Sequence, residues 1–185
     1  MSVVARPAVE DVLALPAALV EVAPPEWQDG NGHVNVRRFY DLHMRGAHAA
    51  LTAIGLDDDY RTSTGQSVFS VEQHIRYLDE VHVGDEVSVH LRWVARGDKV
   101  LHAMSFVVDR TIGRVVNVHE MSFVVDRTAG RVVNVLEMLE AHVDLTTRRA
   151  CSWAPTLAAR IDDAVRAHEE LPWPAPTSGA VGVRR

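Results

Sequence analysis

The sequence predicts an α+β fold in which one long helix precedes a run of antiparallel strands and a shorter helix closes the chain. Three observations carry this. Phe39, Leu42, His43, Ala47, Ala50, Leu51 and Ile54 recur at helical spacing, so that stretch has one apolar face. From Gln66 onward the pattern changes to runs of β-branched and aromatic residues broken by Gly-Asp turn signals. A second helical stripe, Leu157, Ile161, Ala164, Val165 and His168, is followed by Pro172, Pro174 and Pro176, which end regular structure.

In chain order, residues 1–15 read as a loosely held leader. Residues 18–24 read as a first strand, stopped by Pro24-Pro25. The long helix is expected over 35–54, with Asn35 as its cap and Gly55 as its stop. Asp57-Asp58-Asp59 reads as a solvated loop. Residues 67–77 form the next expected strand. Gly84-Asp85 opens another, in which Val87, Val89, Leu91 and Trp93 alternate with polar residues. Gly97-Asp98 marks a turn into a strand over 99–109. The last strand is expected over 131–145, and the short helix over 155–171. One domain over 1–175 and a flexible tail over 176–185 complete the reading.

Composition narrows the function classes. The length of 185 residues suffices for a real core. The net charge of −6, without a Lys/Arg stripe, argues against a nucleic-acid partner. Cys151 is the sole cysteine, which excludes an internal disulfide framework and a cysteine-rich zinc site and suits a reducing, cytoplasmic setting. No apolar run is long enough to span a bilayer, and no signal peptide is visible.

Residues 104–120 and 121–137 repeat one another with a period of 17, differing at Ile112 against Ala129 and His119 against Leu136. Two copies this short do not make a solenoid. The pattern reads as a tandem duplication of a strand and its turn. One added strand would reverse everything after it in an antiparallel sheet. Extruding one copy as a loop or edge ribbon disturbs fewer contacts, and a longer loop costs little entropy. An extruded copy would keep its apolar Phe-Val-Val face, an aggregation hazard.

The most informative segment is Trp27-Gln28-Asp29-Gly30-Asn31-Gly32-His33-Val34-Asn35, immediately before the long helix. It sets a carboxylate in a glycine turn near a helix N-terminus, whose first N–H groups lack internal partners. Such donors hold an anion or a developing oxyanion, so a carboxylate beside them suits acyl transfer. Asp29 equally suits a plain turn.

Asp29, separated by two residues from Gly32-His33-Val34-Asn35, resembles the thioesterase motif of the hotdog superfamily. Ser70-Val71-Glu72-Gln73-His74-Ile75-Arg76-Tyr77-Leu78, then Glu80-Val81 and Gly84-Asp85, is similar to the second motif of one branch. Lys99-Val100-Leu101-His102, His142-Val143-Asp144, Arg148-Arg149 and Ala167-His168-Glu169-Glu170-Leu171-Pro172 extend the match. This branch resembles the betainyl-CoA thioesterases associated with carnitine breakdown. The resemblance covers roughly residues 18–175 less one repeat copy, and the repeat departs from the family pattern.

The resemblance implies a hotdog fold, with the sheet wrapped around the central helix, and hydrolysis of a short or polar acyl-CoA. It implies Asp29 as general base or nucleophile, the former typically worth ~10²–10⁴-fold. Backbone N–H groups of Gly32, His33 and Val34 would receive the thioester carbonyl. Trp27, Asn31, Asn35, Tyr40, Glu72, His74 and Tyr77 are the substrate-contact candidates, with capping the competing role for Asn35. Glu72 and His74, two apart on a strand, point to one face and would reach the Asp29 cleft from this subunit or its neighbour. A trimethylammonium group would suit Trp27, Tyr77 or Trp93. Arg37, Arg76 and Lys99, with Arg38 and Arg92, are the cations available to CoA phosphates. No cofactor or metal is implied, and neither His-Glu-x-x-His nor paired histidines occur. A homodimer or tetramer with a shared cleft is expected. The rivals are a hotdog hydroxyacyl-thioester dehydratase and a non-catalytic acyl-CoA binder.

Overall fold

A computed structural model describes residues 6–111, 116–118, 121–123 and 130–183. The elements are α1 (Val9–Leu13), β1 (Ala17–Val22), a 3-10 turn (Pro25–Trp27), α2 (Val36–Ala53), α3 (Asp58–Thr64), β2 (Gln66–Tyr77), β3 (Glu86–Arg96), β4 (Val100–Asp109), β5 (Val116–Val118), β6 (Met121–Phe123), β7 (Arg131–Asp144), β8 (Arg149–Ala150) and α4 (Pro155–Glu169). The main sheet runs β1-β3-β4-β7-β2, with β8 on β7, and every pairing is antiparallel. Helix α2 lies against one face of it. This is the hotdog arrangement.

Phe39, Leu42 and Ala47 of α2 bury against Val89, Leu91, Leu101 and Val107 of the sheet. Gly46 makes the approach possible, since a Cβ there would stand 2.5 Å from the Val89 Cγ1. Asn35 caps the helix as expected, its Oδ1 accepting from the Arg37 N–H at 3.0 Å.

The opposite face of the sheet is also covered, which alternation in β3 did not foretell. Val12, Leu15 and Trp173 pack on Met104, Phe106 and Val108. Residues 9–15 are therefore part of the core, not a loose leader; residues 1–5 lie outside the described residues. Under this cover the polar positions of β3 are buried as well. His90 Nδ1 is 2.8 Å from the Leu15 carbonyl, and the Arg92 guanidinium donates to the carbonyls of Trp173 and His168 while stacking on the Trp173 ring. Beyond α4 the chain keeps touching this face, where the Ser178 N–H donates to buried Glu137 at 2.8 Å.

Asp57-Asp58-Asp59 is not a loop. Asp57 caps α3, its Oδ1 accepting from the Tyr60 N–H at 2.7 Å, and the next two acids occupy the favoured first turn.

The repeat neither reverses the sheet nor leaves it as one whole copy. The first half of copy one is β4, the second half of copy two is β7, and these two pair directly, Asp109 opposite Arg131. Between them β5 and β6 pair only with each other, in a separate two-stranded sheet. The Phe-Val-Val face expected to be an aggregation hazard, residues 123–125, lies outside the residues whose side chains are described.

Candidate active site

The Asp29 turn is a small hairpin closed by its own hydrogen bonds. Gln28 and Val34 bridge antiparallel. The Asp29 N–H donates to the His33 carbonyl at 2.9 Å, and the Asn35 N–H to the Trp27 carbonyl at 2.8 Å. Gly32 sits at φ +88°, a conformation that costs other residues dearly. Trp27 anchors the turn from below as a core residue.

The Asp29 carboxylate is 17% exposed. Its Oδ1 accepts from the Asn31 N–H at 2.8 Å, and its Oδ2 lies 3.7 Å from His33 Nδ1. A carboxylate held by a backbone amide and facing an imidazole, yet open to solvent, is oriented without being sealed. Of the three amides expected to receive a carbonyl, two are engaged within the chain. The Gly32 N–H donates to the Asp29 carbonyl at 3.2 Å and the Val34 N–H to the Val81 carbonyl at 2.7 Å. The His33 N–H has no acceptor among the described residues.

The other candidates divide. Tyr77 stands beside the start of α2, its ring 5.9 Å from that of Phe39, and both Tyr77 and Tyr40 are exposed. Trp27, Asn35 and Arg37 line a shallow groove of about 390 Å³ next to the turn. Asn31 is exposed at the hairpin tip.

Glu72 and His74 are not brought to Asp29 within the chain. Gln73 and Tyr77 touch Met44 and Phe39 of α2, so the residues alternating with them face away. On that outer side Arg76 reaches the Pro176 carbonyl at 3.5 Å. Trp93 is packed in the core and Arg92 is committed to carbonyls. Lys99 is exposed at the β3–β4 turn. Among the described residues no group of three or more metal-type side chains stands together.

Two buried polar groups escaped the sequence reading as sites. At the centre of α2, His43 Nε2 is 2.9 Å from Asn134 Oδ1 and its Nδ1 is 2.7 Å from Ser105 Oγ. Burial lowers the His43 pKa to about 4, against the opposing bond from Asn134. On β7, Glu140 is buried, and burial raises its carboxyl against the pull of a Ser70 hydroxyl at 2.7 Å. The signal for Glu140 is an acid inside an apolar strand, Leu136-Glu137-Met138-Leu139-Glu140, and for His43 an imidazole in the apolar stripe of α2.

A model of the thioesterase-like superfamily matches residues 23–161. The chain belongs to that superfamily. The betainyl-CoA thioesterase of Pseudomonas aeruginosa is 30% identical over 160 residues, covering 86% of this chain and 89% of that protein. The L-carnitine dehydrogenase/betainyl-CoA thioesterase of Ruegeria pomeroyi is 26% identical over 88% of this chain, which spans only 29% of that longer relative. Among solved structures, a Staphylococcus aureus protein in complex with CoA superposes with a TM-score of 0.72 at 16% identity, covering 92% of this chain and 97% of that one. A hexameric broad-specificity acyl-coenzyme A thioesterase superposes with a TM-score of 0.62 at 14% identity, covering 84% and 98%. At these identities the superpositions establish the hotdog fold of this thioesterase-superfamily member. No helix among the described residues is long and apolar enough to cross a membrane.

Proposed function

We propose that the protein hydrolyses a short or polar acyl-CoA thioester, betainyl-CoA being the leading substrate, to free acid and CoA. The observation that carries this is the Asp29 turn. An oriented, solvent-open carboxylate stands within the same hairpin as the unengaged His33 N–H. Asp29 acts on water or on the acyl carbon, and the His33 N–H receives the oxygen as it gains charge. Tyr40, Tyr77 and the groove at Trp27, Asn35 and Arg37 border the approach, where Arg37 suits a CoA phosphate. The similarity to a Pseudomonas aeruginosa relative of matching length supports the acyl group.

The working unit in this reading is at least a homodimer in a reducing, cytoplasmic setting. Strand β2 is a sheet edge carrying exposed Phe69, Val71 and Tyr77, and Val36 and Tyr40 of α2 are exposed as well. A bare apolar edge invites pairing with its own copy about a two-fold axis.

The test is thiol release from a panel of acyl-CoAs, with crotonyl-CoA followed for hydration. Hydrolysis of small acyl groups without hydration supports the reading. Hydration without free thiol would assign a dehydratase, and CoA binding without either would assign a binder.

A further inference from the structure

A second cleft, of about 220 Å³, opens between α2, α3 and β2. Met44, Ala47, Leu51 and Val68 form apolar wall, and Tyr60 and Glu140 are its polar groups of interest. Glu140 is 6% exposed and accepts one hydrogen bond, from Ser70. Among the described residues no Lys, Arg or His pairs with it; Arg61, on the same cleft, is bound to Asp58 at 3.1 Å. Burying a carboxylate is costly unless a cation meets it. The cleft is smaller than the ~300–1,000 Å³ of a drug-sized site, so it suits a compact group.

Its position decides which Asp29 it serves. Helix α2 and strand β2 run side by side in opposite directions, with Phe39 beside Tyr77, Met44 beside Gln73, and Leu51 and Ser67 in the cleft. From Asn35 the helix climbs ~14 Å to Met44 and ~24 Å to Leu51, the span of its share of the cleft wall, at 1.5 Å per residue. One protomer's Asp29 therefore stands before the start of α2 and its own cleft along the later half of the helix, too far apart for one short acyl group. A two-fold axis normal to the sheet that pairs β2 with β2 keeps both helices on one face. It sets the Tyr77 end of one protomer beside the Gln66 end of the other.

We infer that the Glu140 cleft of one protomer is the acyl subsite for the Asp29 of its partner, and that it selects a compact quaternary ammonium. This rests on the hydrolase and dimer reading above. The methyl groups meet the apolar wall, and the fixed positive charge meets Glu140 and the Tyr60 side chain. A group without N–H suits a carboxyl whose hydrogen bond is already supplied by Ser70.

The test compares kcat/KM for betainyl-CoA and its neutral isostere tert-butylacetyl-CoA. The wild type is expected to favour the cation by about tenfold or more, and Glu140→Gln, which keeps an oxygen for Ser70, to collapse that ratio. Mixing Asp29→Asn with Glu140→Gln protomers rebuilds one intact site per heterodimer, so betainyl-CoA turnover should rise above that of either variant alone. An unchanged ratio in a normally melting Glu140→Gln variant, or no rise on mixing, would overturn the inference. Should the wild type release thiol from no thioester, the hydrolase reading fails separately. The cleft is then judged by tetramethylammonium ion, which should raise the melting temperature of the wild type and not of Glu140→Gln; equal response would overturn it.

Discussion

Two places on α2 bring a potential nucleophile or base next to an imidazole, and only one of them is open. At the N-terminal end, Asp29 and His33 stand in a hairpin exposed to solvent. At mid-helix, Ser105, His43 and Asn134 line up as hydroxyl, imidazole and amide at 2.7 and 2.9 Å, against 3.7 Å between the Asp29 carboxylate and the His33 imidazole. All three are fully buried. The tighter geometry belongs to the group that substrate cannot reach. A nucleophile–base–orienter pattern is therefore a site only when the reacting atom is accessible. Sealed, the same pattern pins a helix to a sheet and satisfies both imidazole nitrogens, although the Asn134 Nδ2 finds no partner among the described residues.

The contrast predicts different losses. Asp29→Asn should lower kcat by ~10²–10⁴-fold with the melting temperature unchanged, since a solvent-open turn carries little of the fold. Near-normal turnover would break the contrast at its functional end.

His43 should instead contribute to acid stability, alongside His90, His142 and His168, whose pKa values burial also lowers. Its folded pKa of about 4 lies below the unfolded value of 6.5, so the unfolded chain takes up the proton first. The contribution is intact above pH 6.5 and is lost as pH falls from 6.5 to about 4, amounting to ~3 kcal/mol. Urea titrations at steps across that window should show the decline. In His43→Leu the part due to this residue should vanish. Ser105→Ala leaves one imidazole nitrogen without its donor and should cost ~1–2 kcal/mol, with kcat little affected.

The smallest effect is expected from removing residues 114–130, which include none of the residues named at either place. Deleting residues 114–130 joins Gly113 to Arg131 and leaves a short β4–β7 hairpin with the same turn sequence. Shortening the loop from 21 residues to four should stabilise the fold by ~1 kcal/mol, read as a higher urea midpoint with kcat unchanged. A loss of folding would mean that β5 and β6 support the main sheet.

Much of the fold was legible because local signals agreed with tertiary demands. Asn35, the apolar stripe of α2 and Gly97-Asp98 each did in the structure what their chemistry favours. The misreadings share one cause. Ser88, His90 and Arg92 looked like the solvent side of β3, and residues 9–15 like a leader, because α1 and the chain after α4 cover the outer sheet face from far away in sequence. Asp57 looked like loop because capping a helix and sitting in a loop use the same side chain. The candidate site was legible only at Asp29, where the whole motif is contiguous. Glu72 and His74 share one face, as their spacing requires, but strand parity alone does not say that within the chain this face is turned from α2. Glu140 and His43 acquire meaning only when strands distant in sequence come together.

The most direct trial sets Asp29→Asn against Ser105→Ala in single-turnover thiol release from the best acyl-CoA, each checked for a native melting curve. The account predicts at least ~100-fold loss in the first and a rate within about threefold of wild type in the second. The reverse order, with the buried serine indispensable and Asp29 replaceable, would contradict it.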